Sequence, residues 1–258
     1  DMGLKIQLQH ENIFKMMQTH PQMARDGINL RAFGQKIIEE LGGKRIHPTG
    51  VVPGGAAHKI ELSQKEVILA QIPDMLKIAQ GALEFFKTNL HKFQKEIDSF
   101  AAFPSLFMAL TNKDKTLEHY DGTLCFMDSD GNIIKDAIEP RDYKEFIGEA
   151  VEEDSYLKSP YYKPLGYPQG MYRVGPLARL NIASTCGTPL ADEELKKFKA
   201  LNGGKPVLNS FYYHYARLIE IIYTIEKIEE LLNDEETMRE NVKATSSVSK
   251  TKGVGCSE

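Results

Sequence analysis

The sequence predicts a mainly α fold of the α+β kind, an array of long helices with one small antiparallel sheet. Three observations carry this. Apolar residues recur at three- and four-residue steps near 22–41, 63–101 and 210–232, the repeat of helices with one buried face. Between 105 and 138 the pattern changes to short apolar runs around a turn, the signature of a small β insertion. A chain of 258 residues with 41% hydrophobic residues can bury a substantial core, and residues 1–244 read as a single large domain.

In chain order, Gln9 to Gln18 reads as a short, Met-rich helix. A long helix follows from Pro21 to Leu41, with Met23, Ile28, Leu30, Phe33, Ile37, Ile38 and Leu41 broadly on one face, and Gly42-Gly43 stops it. Residues 42–55 then hold five Gly and two Pro among fourteen, together with Ile46, Val51 and Val52, which prefer burial. That mixture predicts a loop running close to other backbone, with Gly where a Cβ will not fit. Pro48 and Pro53 push His47 and Val52 toward extended conformations.

Ser63-Gln64-Lys65-Glu66 has the form of a capping box and opens a helical run to about Ala101, kinked near Pro73. Unbroken, such a helix spans ~60 Å. Leu124 to Met127 and Ile133-Ile134 flank Asp128-Ser129-Asp130-Gly131-Asn132 as a hairpin. Asp128, Asp130, Asn132 and Glu139 match four positions of a calcium loop, but Ile133 stands where its Gly belongs and no helix precedes it, so a plain turn is preferred. Tyr143 to Val151 reads as a short helix. Residues 154–189 read as a long loop whose five tyrosines and lack of charge runs argue against disorder. Thr188-Pro189, with Asp192-Glu193-Glu194 in the next turn, starts a helix. Asn209 or Ser210 starts the last one, to about Leu232. The tail, 245–258, reads as mobile or as ordered by a partner.

The net charge of −4, without a basic stripe, argues against nucleic acid. No apolar run reaches the ~20 residues that cross a bilayer. Cys125, Cys186 and Cys256 form neither a disulfide framework nor a CxxC pair, which points to a reducing, cytoplasmic compartment. Asp1-Met2-Gly3-Leu4 has no signal-peptide pattern and does not look like a natural start, as in an excised piece.

No nucleophile–base, zinc-protease, Walker or dinucleotide motif appears. His47, on its stiff loop, is either a site wall or a hydrogen-bonded residue of a packed corner. His214, within Phe211-Tyr212-Tyr213-His214-Tyr215, reads as helix packing. Arg173 and Arg179 either bind an anionic group or lie buried and paired to Glu.

Taken together, the loops resemble one family. Gly42 to Pro48 with Pro53-Gly54-Gly55 is similar to the HP…PGG segment of nickel–iron hydrogenase large subunits. Tyr156 to Pro164, Tyr172 to Asn181, Tyr213 to Glu220 and Gly253 to Glu258 resemble the cytoplasmic, NAD-linked branch of that family. The resemblance implies a part in reversible H₂ oxidation. It also implies a small subunit with iron–sulfur clusters, and a flavin-containing diaphorase where NAD would bind. In the family, four cysteines in two CxxC motifs hold nickel and iron. This sequence has neither motif and resembles the stretch between them. The expectation is therefore a central portion that is inactive alone, holds no metal or cofactor, and contributes residues standing around the metals. His47 comes first among these, then Asp1, Arg179 and His214, the last two also readable as structural. Exposed apolar patches and self-association are expected where partner surfaces are missing. The other readings are a nickel-free quinone-reductase subunit of the complex I type and a scaffold fragment.

Overall fold

The computed structural model describes residues 13–245 and 251–256. They form two compact units, one from the described parts of 1–84 and 225–249, the other from 85–224 with 251–256.

In the first unit, α1 (Ile13–Thr19) packs on α2 (Pro21–Gly42). Pro21 takes the first helical position, where a missing N–H costs nothing. The predicted glycine stop is present: Gly43 caps α2 at φ 74° and donates its N–H to Glu39 O at 2.8 Å. β1 (Val51–Val52) and β2 (Gly55–Ala56) make a tight hairpin. α3 (Leu62–Leu69) begins one residue before the expected box. Glu61 is its cap, and the Glu61 N–H donates to Gln64 Oε1 at 2.9 Å.

The single helix expected over 63–101 is broken. α3 stops at Leu69, α4 (Ile72–Asn89) restarts, and a 3₁₀ turn over Leu90–Phe93 leads into α5 (Gln94–Ser99). Pro73 explains the first break, because it has no N–H for the Leu69 carbonyl and its ring collides there. The apolar stripe Ile68, Ile72, Met75, Ala79, Leu83 is buried straight across that break, so periodicity alone could not report it.

The second unit is built on a four-stranded sheet in the order β5-β4-β3-β8. Its strands are β3 (Leu106–Thr111), β4 (Thr123–Met127), β5 (Ile133–Ile138) and β8 (Tyr172–Arg173). The predicted hairpin is β4–β5. Its Asp128 accepts the N–H groups of Asp130 and Asn132 at 2.9 and 2.8 Å, so the turn itself uses that carboxylate. The sheet is not purely antiparallel, since β3 and β8 run parallel. Every residue of β3 is buried, which explains its unbroken apolar reading. Leu106, Met108 and Leu110 join Leu124, Phe126, Ile138 and Tyr162 in one cluster, with Cys256 packed at its edge. α7 (Gly175–Ile182) also packs on β3.

Two further readings change here. Only Tyr143–Phe146 is helical (α6), and β6 (Ile147–Val151) pairs with β7 (Lys158–Tyr162). Gly148 permits this pairing, because a Cβ there would lie 2.6 Å from the Tyr161 ring. The stretch 154–189 is likewise no loop, for it holds β7, β8 and α7. α8 (Pro189–Ala200) begins after Thr188, and α9 (Tyr213–Asn233) follows a turn capped by Asn209, both as expected.

Candidate functional site

The Gly-rich segment is a backbone-packed loop. A Cβ on Gly42 would lie 2.4 Å from Pro48 Cβ, one on Gly50 2.5 Å from Leu41 O, and one on Gly55 2.1 Å from Val242 O. The loop thus folds back on the end of α2 and abuts residues 242–244. Its backbone closes the same contacts. The Thr49 N–H donates to Gly42 O at 2.9 Å, Ala57 to Gly50 O at 2.7 Å, Ala56 to Val242 O at 2.9 Å, and Ala244 to Gly54 O at 2.9 Å. Lys59 Nζ fastens the far side to the Glu240 carboxylate at 2.9 and 3.0 Å, and that bond and charge hold the Lys59 ammonium above its usual value.

His47 departs from expectation. Its φ is 53°, in the left-handed region, and not extended. The reversal that sets Pro48 against Gly42 needs a positive φ, and a preceding-proline restriction that disfavours the right-handed helical region does not forbid it. His47 is exposed, and among the described residues it meets no hydrogen-bond partner. Ile46 and Val51 beside it are 71% and 91% exposed, against the burial expected of them. Because His47 touches so little, His47→Ala should change the stability of this chain by no more than ~0.5 kcal/mol, read by chemical denaturation.

In the second unit Arg179 lies on α7 and is buried. Its Nε and Nη2 donate to both Glu220 oxygens of α9, at 2.6 and 2.9 Å. His119 Nε2 approaches Glu220 Oε1 at 3.6 Å, its ring stacked on Tyr223. Burial alone would raise the Glu220 carboxyl; the Arg179 hydrogen bonds, joined by His119, outweigh it and hold the group below the usual range. Arg179 is therefore a paired, positioned cation. Glu220 and His119 were missed because they are 41 and 60 residues away in sequence, and only the resemblance segment ending at Glu220 hinted at the first.

Arg173 is buried and meets no carboxylate among the described residues, in place of the Arg–Glu pairing considered for it. It donates to Ala101 O and Phe103 O, each at 2.9 Å, and to Ser105 Oγ at 2.6 Å, and it lies over the Phe103 ring at 4.3 Å. Tyr213 donates to Val174 O at 2.9 Å, and burial raises its phenol against the charges of Arg173, Arg179 and Arg217. His214 is exposed, 6.0 Å from the Phe211 ring and 6.4 Å from Phe86. Asp1 lies outside the described residues.

Cys125 and Cys186 are buried and Cys256 is half-buried. Among the described residues no three His, Cys, Asp or Glu come together as a metal site, and no helix is long and apolar enough to cross a membrane.

No protein-family model matches the chain. It is 37% identical over 244 residues to an F420-non-reducing hydrogenase vhu subunit of Methanocaldococcus jannaschii, covering 95% of this chain and 58% of that protein. It is 33% identical over 240 residues to the NAD-reducing hydrogenase HoxS subunit beta of Cupriavidus necator, covering 91% and 49%. The crystal structure of an NAD+-reducing [NiFe]-hydrogenase in the H2-reduced state superposes with a TM-score of 0.87 at 33% identity, over 92% of this chain and 52% of that one. A Dm. baculatum [NiFeSe]-hydrogenase structure shares the fold at 15% identity, with a TM-score of 0.61 over 88% and 51%. The chain spans about half the length of the curated relatives it matches.

Proposed function

The chain belongs, as a partial chain, to the nickel–iron hydrogenase large-subunit family, and from that premise we propose that it is the protein wall of a hydrogen-activating subunit. Supporting this is a similarity that runs through nearly the whole chain yet covers only about half of each relative. For a nickel–iron centre of the family's kind the described residues do not fit. Soft, redox-active nickel wants clustered thiolates. Cys125 instead faces Lys115 and Asp136, and Cys186 gives its N–H to Asp192. In this reading the chain alone is inactive and lends shape and charge.

His47 is the residue we place nearest the chemistry, as a proton-holding ring on a loop that glycine contacts keep rigid. Ile46 and Val51, exposed on either side of it, are what a loop facing further protein would carry. Arg179 and Glu220 supply a charge-balanced support, and His214 belongs with the aromatic packing of Phe86 and Phe211. For the wider assembly we propose a small subunit bearing iron–sulfur clusters, with NAD reduction through a diaphorase in the cytoplasm. This rests on the Tyr156–Pro164 and Tyr172–Asn181 segments and on the NAD-reducing relatives. The test is metal analysis of the purified chain after expression with nickel and the hydrogenase maturation machinery. Far less than one nickel per chain, and no H₂-dependent dye reduction, is the expected result. Stoichiometric nickel would overturn the reading.

A further inference from the structure

One cluster in the sheet gathers a strand bulge and two left-handed, non-glycine residues. Cys125 lies in β4, fully buried, opposite Ala109 of β3. On its other side β5 carries a bulge. Leu124 pairs with Ile138 and Phe126 with Lys135, so Asp136 and Ala137 both face Cys125. The Asp136 carboxylate contacts the Lys115 ammonium, whose Nζ lies 3.7 Å from Cys125 Sγ and 3.4 Å from Thr111 Oγ1. Lys115 and Ala137, flanking the cluster, have φ of 56° and 52°. Neither is Gly, so both hold a backbone conformation that L side chains rarely adopt. A bulge and two strained residues thus serve to bring an amine, a thiol and a carboxylate together.

We propose that Lys115 and Cys125 are a redox modification site, joined by hydroperoxides into a reversible N–O–S bridge. The thiol and the amine are both nucleophiles, and rotation of the Lys115 stem brings them within reach of one shared oxygen. The S–H and N–H bonds are lost while one S–O and one N–O bond form. Two hydroperoxide molecules are consumed and three waters released, counting hydrogen peroxide as the oxidant. The sulfur–nitrogen pair gives up four electrons, two to each peroxide, and the ammonium's extra proton leaves to solvent.

Access decides the product. The Lys115 and Asp136 side chains are 24% and 41% exposed, so the cluster opens to solvent on their side. Cys125 itself is fully buried, so a small peroxide reaches it only as the Lys115 side chain swings outward. A bulky thiol has no path to the buried sulfur, which leaves the sulfenic acid to be captured by Lys115. Burial, with Asp136, pushes the Cys125 thiol up to about 11 against the charge of Lys115. The S–H proton leaves to solvent as the sulfur reacts, and the reaction quickens as pH rises toward that value. The bridge would tie the segment after β3 to β4 beneath the β5 bulge.

The test is hydrogen peroxide treatment of the full chain followed by intact and peptide mass spectrometry. The expected product gains one oxygen and loses two hydrogens, maps to a Lys115–Cys125 cross-linked peptide, and reverts with a reducing thiol once the chain is unfolded. It should be absent in Cys125→Ser and in Lys115→Arg, which keeps the charge facing Asp136. Circular dichroism confirms that both variants fold. Two results would overturn the proposal: Cys125 passing to sulfinic acid with Lys115 unlinked, or Cys125 remaining reduced while the more exposed Cys256 oxidises.

Discussion

Arg179→Ala is expected to cost about 3 kcal/mol of stability, because it leaves the Glu220 carboxylate buried with only the more distant His119 beside it. At roughly 2–4 °C per kcal/mol for a chain of this size, thermal unfolding should register it plainly. The pair's two short bonds and its burial set this magnitude. An exposed pair such as Arg45–Glu39 is worth ~0–1 kcal/mol by comparison. Replacing both partners, Arg179→Met with Glu220→Leu, should restore much of the loss, since no orphaned charge remains.

The pH dependence separates the cases. In the native chain Glu220 is held below its ordinary value, near 4.3 for a free Glu. Its contribution is complete above that ordinary value and is lost as pH falls through the lower folded one. In Arg179→Ala the dominant remaining effect is burial, which raises the carboxyl. The sign then reverses, so the variant's penalty deepens as pH rises from the ordinary value to the raised folded one, and shrinks in acid. Denaturation at several pH values reads both trends. A variant penalty that is flat with pH would mean that Arg179 matters for packing alone.

Gly55→Ala is the second large expected effect. Gly55 has φ +147°, where an L side chain is strained, and its Cβ would lie 2.1 Å from the Val242 carbonyl oxygen. Strain contributes about 1–3 kcal/mol and the forced displacement a similar amount. The neighbour is backbone and cannot rotate away, so residues 242–244 should separate from the hairpin. Hydrogen exchange should speed at the Ala56 and Ala244 amides, which now pair with Val242 O and Gly54 O. Exchange at Leu124 and Phe126 in the other unit's sheet should stay unchanged. Gly203→Ala, at φ +60° with open space around it, controls for the backbone term without the collision.

Much of this was legible in the residues. The helices over Pro21–Gly42 and Tyr213–Asn233 carry long periodic stripes, and the turn at Asp128 to Asn132 is spelled by side chains that bond their own backbone. Close backbone approach was readable in residues 42–55, because Gly at so many positions beside β-branched residues has few other uses. What escaped were facts about pairing at a distance. Nothing local says that Ile147–Val151 leaves a helix to meet Lys158–Tyr162, or that Arg179 answers Glu220. The apolar stripe from Ile68 to Leu83 hid a break because both sides of Pro73 keep the same face inward. Exposure at Ile46 and Val51 was unreadable for another reason, since hydrophobicity states a preference and cannot say whether the covering surface lies in the same stretch of chain.

The contact between Gly55 and Val242 spans 187 residues of sequence, and residues 85–224 of the second unit lie between its two halves along the chain. During synthesis the hairpin at 51–56 emerges long before the segment that completes it. A closure of this span carries a large entropic cost that the hairpin's four residues cannot offset early. The 85–224 unit, with its local β3–β4–β5 meander, is therefore the part able to gain structure first, and the histidine loop is set last, when the chain returns.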